Sequence, residues 1–141
     1  MSNGFDYRLR VYYEDTDAAG IVYYANYLKF IERARTEALL ALGLRQTEIR
    51  ERFGLVFAVR SVRADYLAPA RLEDQLVVTT ALTRLRGAGL DLVQQVRRGD
   101  ELLVDCVVGL ACLAASGRPA RLPPELRAAL AGLPAPGSGP N

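Results

Sequence analysis

Apolar and polar residues alternate imperfectly over 7–14 (Tyr-Arg-Leu-Arg-Val-Tyr-Tyr-Glu), which predicts a first strand. Asp15 to Gly20 (DTDAAG) is rich in residues that bond their own backbone or tolerate unusual dihedrals, and it predicts a turn. From Asn26 to Leu42 the period becomes helical. Tyr27, Phe30, Ile31, Ala34, Ala38, Ala41 and Leu42 form one stripe, and Lys29, Arg33 and Glu37 lie largely opposite. Asn26 is placed to cap this helix, and Gly43 to end it in the left-handed conformation. A short helical or irregular stretch follows at 46–52.

The remainder reads as strands. Over 55–66 the apolar parity slips, with Phe57 and Val59 odd but Val62, Ala64 and Tyr66 even, which predicts a bulge near Arg60–Ser61. Pro69 ends that strand. The Val- and Thr-rich run 75–86 turns at Gly87-Ala88-Gly89 into 90–98, and Gly99-Asp100 turns into 102–114. This last run is apolar on both parities, so it is expected to be central and covered on both faces. A short helix is expected after Pro123-Pro124. A two-layer sandwich cannot bury one long helix. The economical solution is an α+β fold, a single curved antiparallel sheet of about five strands wrapped round that helix. One domain over 5–133 is expected, with the Pro/Gly/Ser tail 134–141 disordered.

Composition narrows the chemistry. The chain has 141 residues, with 18 basic and 16 acidic residues giving a net charge of +2. These charges are interspersed, too weak a bias to argue for nucleic-acid or membrane partners. No apolar run is long enough for a membrane span, and the polar start MSNGFDYR does not resemble a signal peptide, so a cytoplasmic location is expected. Cys106 and Cys112 sit in one apolar segment and read as buried small hydrophobes. The chain has no histidine. That excludes Ser-His-Asp and Cys-His machinery and zinc sites with imidazole ligands, and two cysteines cannot make a cysteine-only zinc site. Any catalysis falls to carboxylates, hydroxyls and backbone amides.

The segment Tyr12 to Tyr27 places three acids in four residues just before a helix start crowded with tyrosines. Compensation of the helix dipole accounts for such acids. A carboxylate facing helix N-terminal N–H groups also supplies what attack on an acyl carbonyl needs: a base or nucleophile, and a donor for the oxyanion.

The stretch RVYYEDTDAAGIVYYANYLKFIERARTEAL closely resembles the start of hotdog-fold thioesterases of the 4-hydroxybenzoyl-CoA thioesterase family. Within that family it looks most like the YbgC-type acyl-CoA thioesterases associated with the Tol–Pal system. The resemblance runs on through the segment Val59 to Asp74 to Leu85-Arg86-Gly87, covering about residues 8–125. It implies an acyl-CoA thioesterase in which Asp17 is nucleophile or general base and the Tyr24 backbone N–H polarises the thioester carbonyl. Gly20 permits close backbone approach there. Many YbgC-type members carry histidine at the position of Tyr24, whereas the hydroxybenzoyl-specific enzymes can carry tyrosine. The acyl group is therefore expected to be short-chain aliphatic or aromatic.

Further candidates surround this core. Asn26 could orient Asp17 as well as cap the helix. Glu32 could face the acyl pocket or pair with Arg35 or Arg60, and Ser61 could line the site. Arg60, Arg63 and Arg86 could hold the phosphates of CoA or lie solvated on their strands. No metal or redox cofactor is implied, and CoA enters only as part of the substrate; an acyl carrier protein could replace it. A single-sheet protomer leaves edges uncovered, so self-association is expected, and the resemblance implies a dimer, often paired into tetramers. Two rivals are a non-catalytic acyl- or carrier-protein-binding module and a hydroxyacyl-CoA dehydratase of related fold, whose chemistry usually leans on a histidine.

Overall fold

A computed structural model describes residues 5–137. In chain order the elements are β1 (Tyr7–Arg10), α1 (Asn26–Ala41), α2 (Gln46–Phe53), β2 (Leu55–Tyr66), β3 (Gln75–Arg86), β4 (Gly89–Arg98), β5 (Glu101–Ala114) and α3 (Pro124–Leu130). The strands make one antiparallel sheet in the order β1-β3-β4-β5-β2, curled round α1. β1 is shorter than its alternation predicts. The Asp15 carboxylate accepts the Tyr12 N–H at 2.8 Å, and the Asp15 N–H donates to the Tyr12 carbonyl at 2.9 Å. This reciprocal pair turns the chain just past the end of β1 and leaves Tyr12 and Tyr13 exposed in a tight 3₁₀ turn.

The α1 stripe buries Tyr27, Phe30, Ile31, Ala34 and Ala38 as predicted, but Leu39 replaces Ala41. The helix end explains the exchange. Gly43, left-handed as expected, donates to the Leu40 carbonyl and the Leu44 N–H to the Leu39 carbonyl, so Leu44 folds back over the last turn. Asn26 does not cap the other end. The residue before the helix is Ala25, with no side-chain bond to the first turn.

The predicted bulge in β2 is present. Val59 pairs with Leu110 and Ser61 with Gly109, leaving Arg60 extra and moving the inward face from odd to even residues. Two further irregularities lie at Leu82/Arg84, where the inward face of β3 moves from Leu82 to Leu85, and at Val96/Arg97. β5 is interior to the sheet as predicted, but its second face is only partly covered, with Val107 41% exposed. No second layer lies over that face among the described residues. The segment expected to be disordered begins on a held residue, since the Leu82 N–H donates to the Pro134 carbonyl at 2.7 Å. Residues 138–141 of that expectation lie outside the described residues.

A buried polar contact ties the helix to the sheet. The Gln94 side chain on β4 is 0% exposed, and its amide donates to the Ile31 carbonyl at 3.0 Å and to Thr80 Oγ1 at 2.9 Å. Its oxygen accepts from the Arg35 guanidinium at 3.1 Å. Even residues of β4 therefore face α1 and odd ones face away.

Cys106 and Cys112 are free thiols, both fully buried in the core. Burial pushes the Cys106 thiol up to about 11, whereas in an unfolded chain it titrates near ~8.5. Between those values the unfolded chain has lost a proton that the folded chain keeps. Stability is therefore level below that window and falls as pH rises through it. Cys106→Ala should flatten this alkaline decline in urea unfolding followed from neutral pH to about pH 11. The slope that remains belongs to Cys112, Tyr27 and Tyr66, which burial also raises, and to Tyr23, raised by its hydrogen bond with Tyr24. An unchanged slope would show that Cys106 does not carry the effect.

Candidate active site

The segment between β1 and α1 folds on itself before the helix begins. The Asp17 N–H donates to the Ile21 carbonyl at 2.9 Å and the Gly20 N–H to the Asp17 carbonyl at 3.0 Å, closing a tight turn flanked by the Thr16–Val22 bridge. Gly20 is needed there for its backbone, with φ 78°. A Cβ at Gly20 would meet nothing of the described chain within 4 Å, so within the chain it is the positive φ that calls for glycine. The Asp17 side chain is exposed at the tip of the turn. One carboxylate oxygen, Oδ1, accepts the Ala19 N–H at 2.8 Å, which leaves Oδ2 uncommitted among the described residues.

The loop before β3 buttresses this turn. The Val22 N–H donates to the Ala70 carbonyl at 2.9 Å, the Leu72 N–H to the Gly20 carbonyl at 3.3 Å, and the Ala70 N–H to the Tyr27 hydroxyl at 2.9 Å. Asp74 anchors that loop. Its carboxylate accepts the Arg71 N–H at 2.8 Å and the Arg98 guanidinium at 2.6 Å. Burial alone would raise Asp74, but these donors hold it below the usual carboxylate range.

At the start of α1, the N–H groups of Asn26, Tyr27 and Leu28 are taken up by the carbonyls of Tyr23, Tyr24 and Ala25. Among the described residues the N–H groups of Tyr24 and Ala25 meet no acceptor of the chain. Two donors at the positive end of a 16-residue helix are thus available to an incoming anionic or polarised oxygen. Asn26 has a different task from capping or touching Asp17: its side-chain amide donates to the Asp15 carbonyl at 2.9 Å. The Ala25 donor and the buttressing by Ala70 and Arg71 leave no periodic or motif signal, because both depend on which backbone groups the fold leaves unpaired.

Aromatic rings crowd this helix start. Tyr24 meets Tyr66 edge-to-face at 6.0 Å between ring centres, and Tyr27 meets Tyr66 at 5.7 Å. Tyr24 and Tyr66 remain 59% and 44% exposed, so the pair forms an open aromatic wall. Tyr66 was absent from the sequence-derived site, yet its even parity after the bulge already turns it toward the helix. The phenols of Tyr27 and Tyr66 are raised chiefly by burial, so neither supplies an anion near neutral pH.

The structure does not bring the remaining candidates to Asp17 within one chain. Glu32 is exposed and makes no ion pair within 4 Å among the described residues; its field acts on Arg35. Ser61 pairs with Gly109, which pairs with Asp91, and these lie on the sheet face away from α1. A Cβ built on Gly109 would come 2.6 Å from Ser61 Oγ and 3.8 Å from the Arg60 guanidinium, so both side chains crowd that outer face. Arg63, opposite Val107, is exposed on the same side. Arg86 grips Asp91 with two bonds at 2.6 and 3.1 Å. It lies at the far end of β3, about 35 Å along the strand from the loop that supports Asp17.

A curled antiparallel sheet round one long helix, with a carboxylate turn laid against the helix start, defines a hotdog-fold protein of the thioesterase kind. Residues 11–130 match the thioesterase-like superfamily, and the chain belongs to it. It is 41% identical over 130 residues to the acyl-CoA thioesterase YbgC of Haemophilus influenzae, across 92% of this chain and 96% of that one. Among solved structures it is similar to a probable thioesterase from Bartonella henselae, with 36% identity, TM-score 0.78, and 84% and 98% of the two chains covered. A 1,4-dihydroxy-2-naphthoyl-CoA thioesterase from Synechocystis superposes with TM-score 0.83 at 25% identity, over 92% and 96% of the chains.

Proposed function

We propose that this chain hydrolyses acyl-CoA thioesters at the junction of the Asp17 turn and the α1 N-terminus. One observation carries the reading: a carboxylate with an uncommitted oxygen sits in a turn tied to a helix start whose leading N–H groups are also uncommitted. A thioester has little of the resonance that protects an amide. A donor aimed at its developing oxyanion contributes about 3 kcal/mol by analogy with other oxyanion holes. In the nucleophilic route Asp17 attacks the carbonyl carbon, the C–S bond breaks, and CoA leaves as thiolate to be protonated by solvent. Water then cleaves the mixed anhydride, releasing the acid and restoring the carboxylate. In the general-base route Asp17 takes a proton from the attacking water instead. Neither route calls for a metal or redox cofactor.

The reading extends to the acyl group, which is short-chain aliphatic or aromatic. Its support is the Tyr24–Tyr66 wall beside the proposed donor. It extends also to assembly as a homodimer or tetramer. β2 is a 12-residue edge strand with no neighbour on its outer side among the described residues, and Val59, Val62 and Tyr66 along it are exposed. No helix among the described residues is long and apolar enough to cross a membrane. A cytoplasmic location, proposed from the lack of a long apolar run, completes the reading, with a carrier-protein thioester as alternative substrate and a setting with the Tol–Pal system, which rest on the family resemblance.

The test is thiol release from acetyl-, butyryl-, benzoyl-, 4-hydroxybenzoyl- and palmitoyl-CoA. Short and aromatic thioesters should turn over faster than palmitoyl-CoA. Tyr66→Ala should lower kcat/KM for benzoyl-CoA about 5-fold more than for acetyl-CoA, the size of one aromatic pair contact. Release from none of the five would overturn the enzyme reading and leave a binding module.

A further inference from the structure

We infer that Asn26 is a positioning residue that holds the Asp17 turn in register with the α1 donors; this deepens the functional reading above and rests on it. The Asp15 carbonyl, two residues before Asp17, accepts two hydrogen bonds from the helix side. One comes from the Tyr23 N–H at 3.1 Å and the other from the Asn26 side-chain amide at 2.9 Å. Asn26 is the first residue of α1, two positions after Tyr24. A single side chain therefore joins the segment carrying the carboxylate to the segment carrying the unoccupied N–H groups.

The other bonds around Asp17 do not do this. Those from the Asp17, Ala19 and Gly20 amides are internal to the turn, and those to Ala70 and Leu72 tie the turn to the loop before β3. Without Asn26, the Tyr23 N–H is, among the described residues, the one hydrogen bond left between the turn's Asp15 and the approach to the helix. Attack on a carbonyl demands that nucleophile and oxyanion donors be set within a fraction of an ångström of each other. Loss of such registration lowers rate far more than binding.

Asn26→Asp is the sharpest probe. It keeps size and shape, and an acid at the first helical position favours the helix, but it places an acceptor against the Asp15 carbonyl. Asn26→Ala removes the donor without adding charge, and it serves if the charged variant fails to fold. Both should lower kcat for benzoyl-CoA about 10- to 100-fold with KM within about twofold. Combined with Asp17→Asn, either should cause no further fall in the residual rate, because Asn26 acts through that carboxylate. A purely structural Asn26 would lower melting temperature and residual rate alike in both backgrounds, and that result would overturn the inference. So would unchanged kcat in Asn26→Ala while Asp17→Asn is inactive. Full activity in Asp17→Asn would instead remove the functional reading itself, which keeps the two failures apart.

Discussion

Asp17→Asn should lower kcat by at least ~10²-fold while leaving the folded protein's stability unchanged, the loss expected when a positioned carboxylate no longer serves as base or nucleophile. The exchange is nearly isosteric. The amide oxygen can still accept the Ala19 N–H that Oδ1 accepts in the native chain, so the turn has no reason to open. The Ile21 and Gly20 bonds that close it are main-chain bonds, which the substitution does not touch. What disappears is the negative charge on the uncommitted oxygen. KM should move little, because the exchange leaves the shape of the turn unchanged. Single-turnover assays with benzoyl-CoA separate the two proposed routes as well: in native protein, a burst of thiol ahead of acid release marks a mixed anhydride, and its absence favours activated water. Retained turnover in a folded variant would move the chemistry to another group.

Gln94→Leu should cost about 3 kcal/mol of stability, the range expected when a buried donor–acceptor set that includes a charged partner is broken. The side chain is fully buried, and it bonds the Ile31 carbonyl, the Thr80 hydroxyl and the Arg35 guanidinium at once. Leucine satisfies none of them. Arg35 suffers most: burial already holds its guanidinium below the usual arginine value, and Gln94 is its one hydrogen-bond acceptor among the described residues. Urea unfolding should show a lower midpoint with an unchanged slope, since the surface exposed on unfolding stays the same. A change below about 1 kcal/mol would mean that Arg35 swings out to water and leaves an apolar contact behind.

Much of this architecture is local in origin and so could be read along the chain. The α1 stripe, the left-handed Gly43 and the parity slip at Arg60 each express a period or a dihedral that neighbouring residues impose. The Asp15–Gly20 turn was legible for the same reason, since its bonds close within a few residues. The resemblance carried by Asp17, Gly20 and Tyr24 then singled out the chemistry. Asn26 shows where such reading stops. A cap is the ordinary use of asparagine at a helix start, but here its partner is a carbonyl 11 residues earlier, placed by how the turn packs. Gln94 is similar, a polar residue on the otherwise apolar inward face of β4 whose partners lie 63 and 14 residues away. Arg60, Arg63 and Arg86 were credible phosphate ligands by type, and Ser61 a residue that could line the site. Parity after the slip already turned Ser61 and Arg63 away from α1. Only the tertiary structure decided that Arg60 and Arg86 share that face, because Arg60 is the unpaired extra residue of the bulge and Arg86 follows a second register shift, at Leu82/Arg84, so strand pairing fixes their facing.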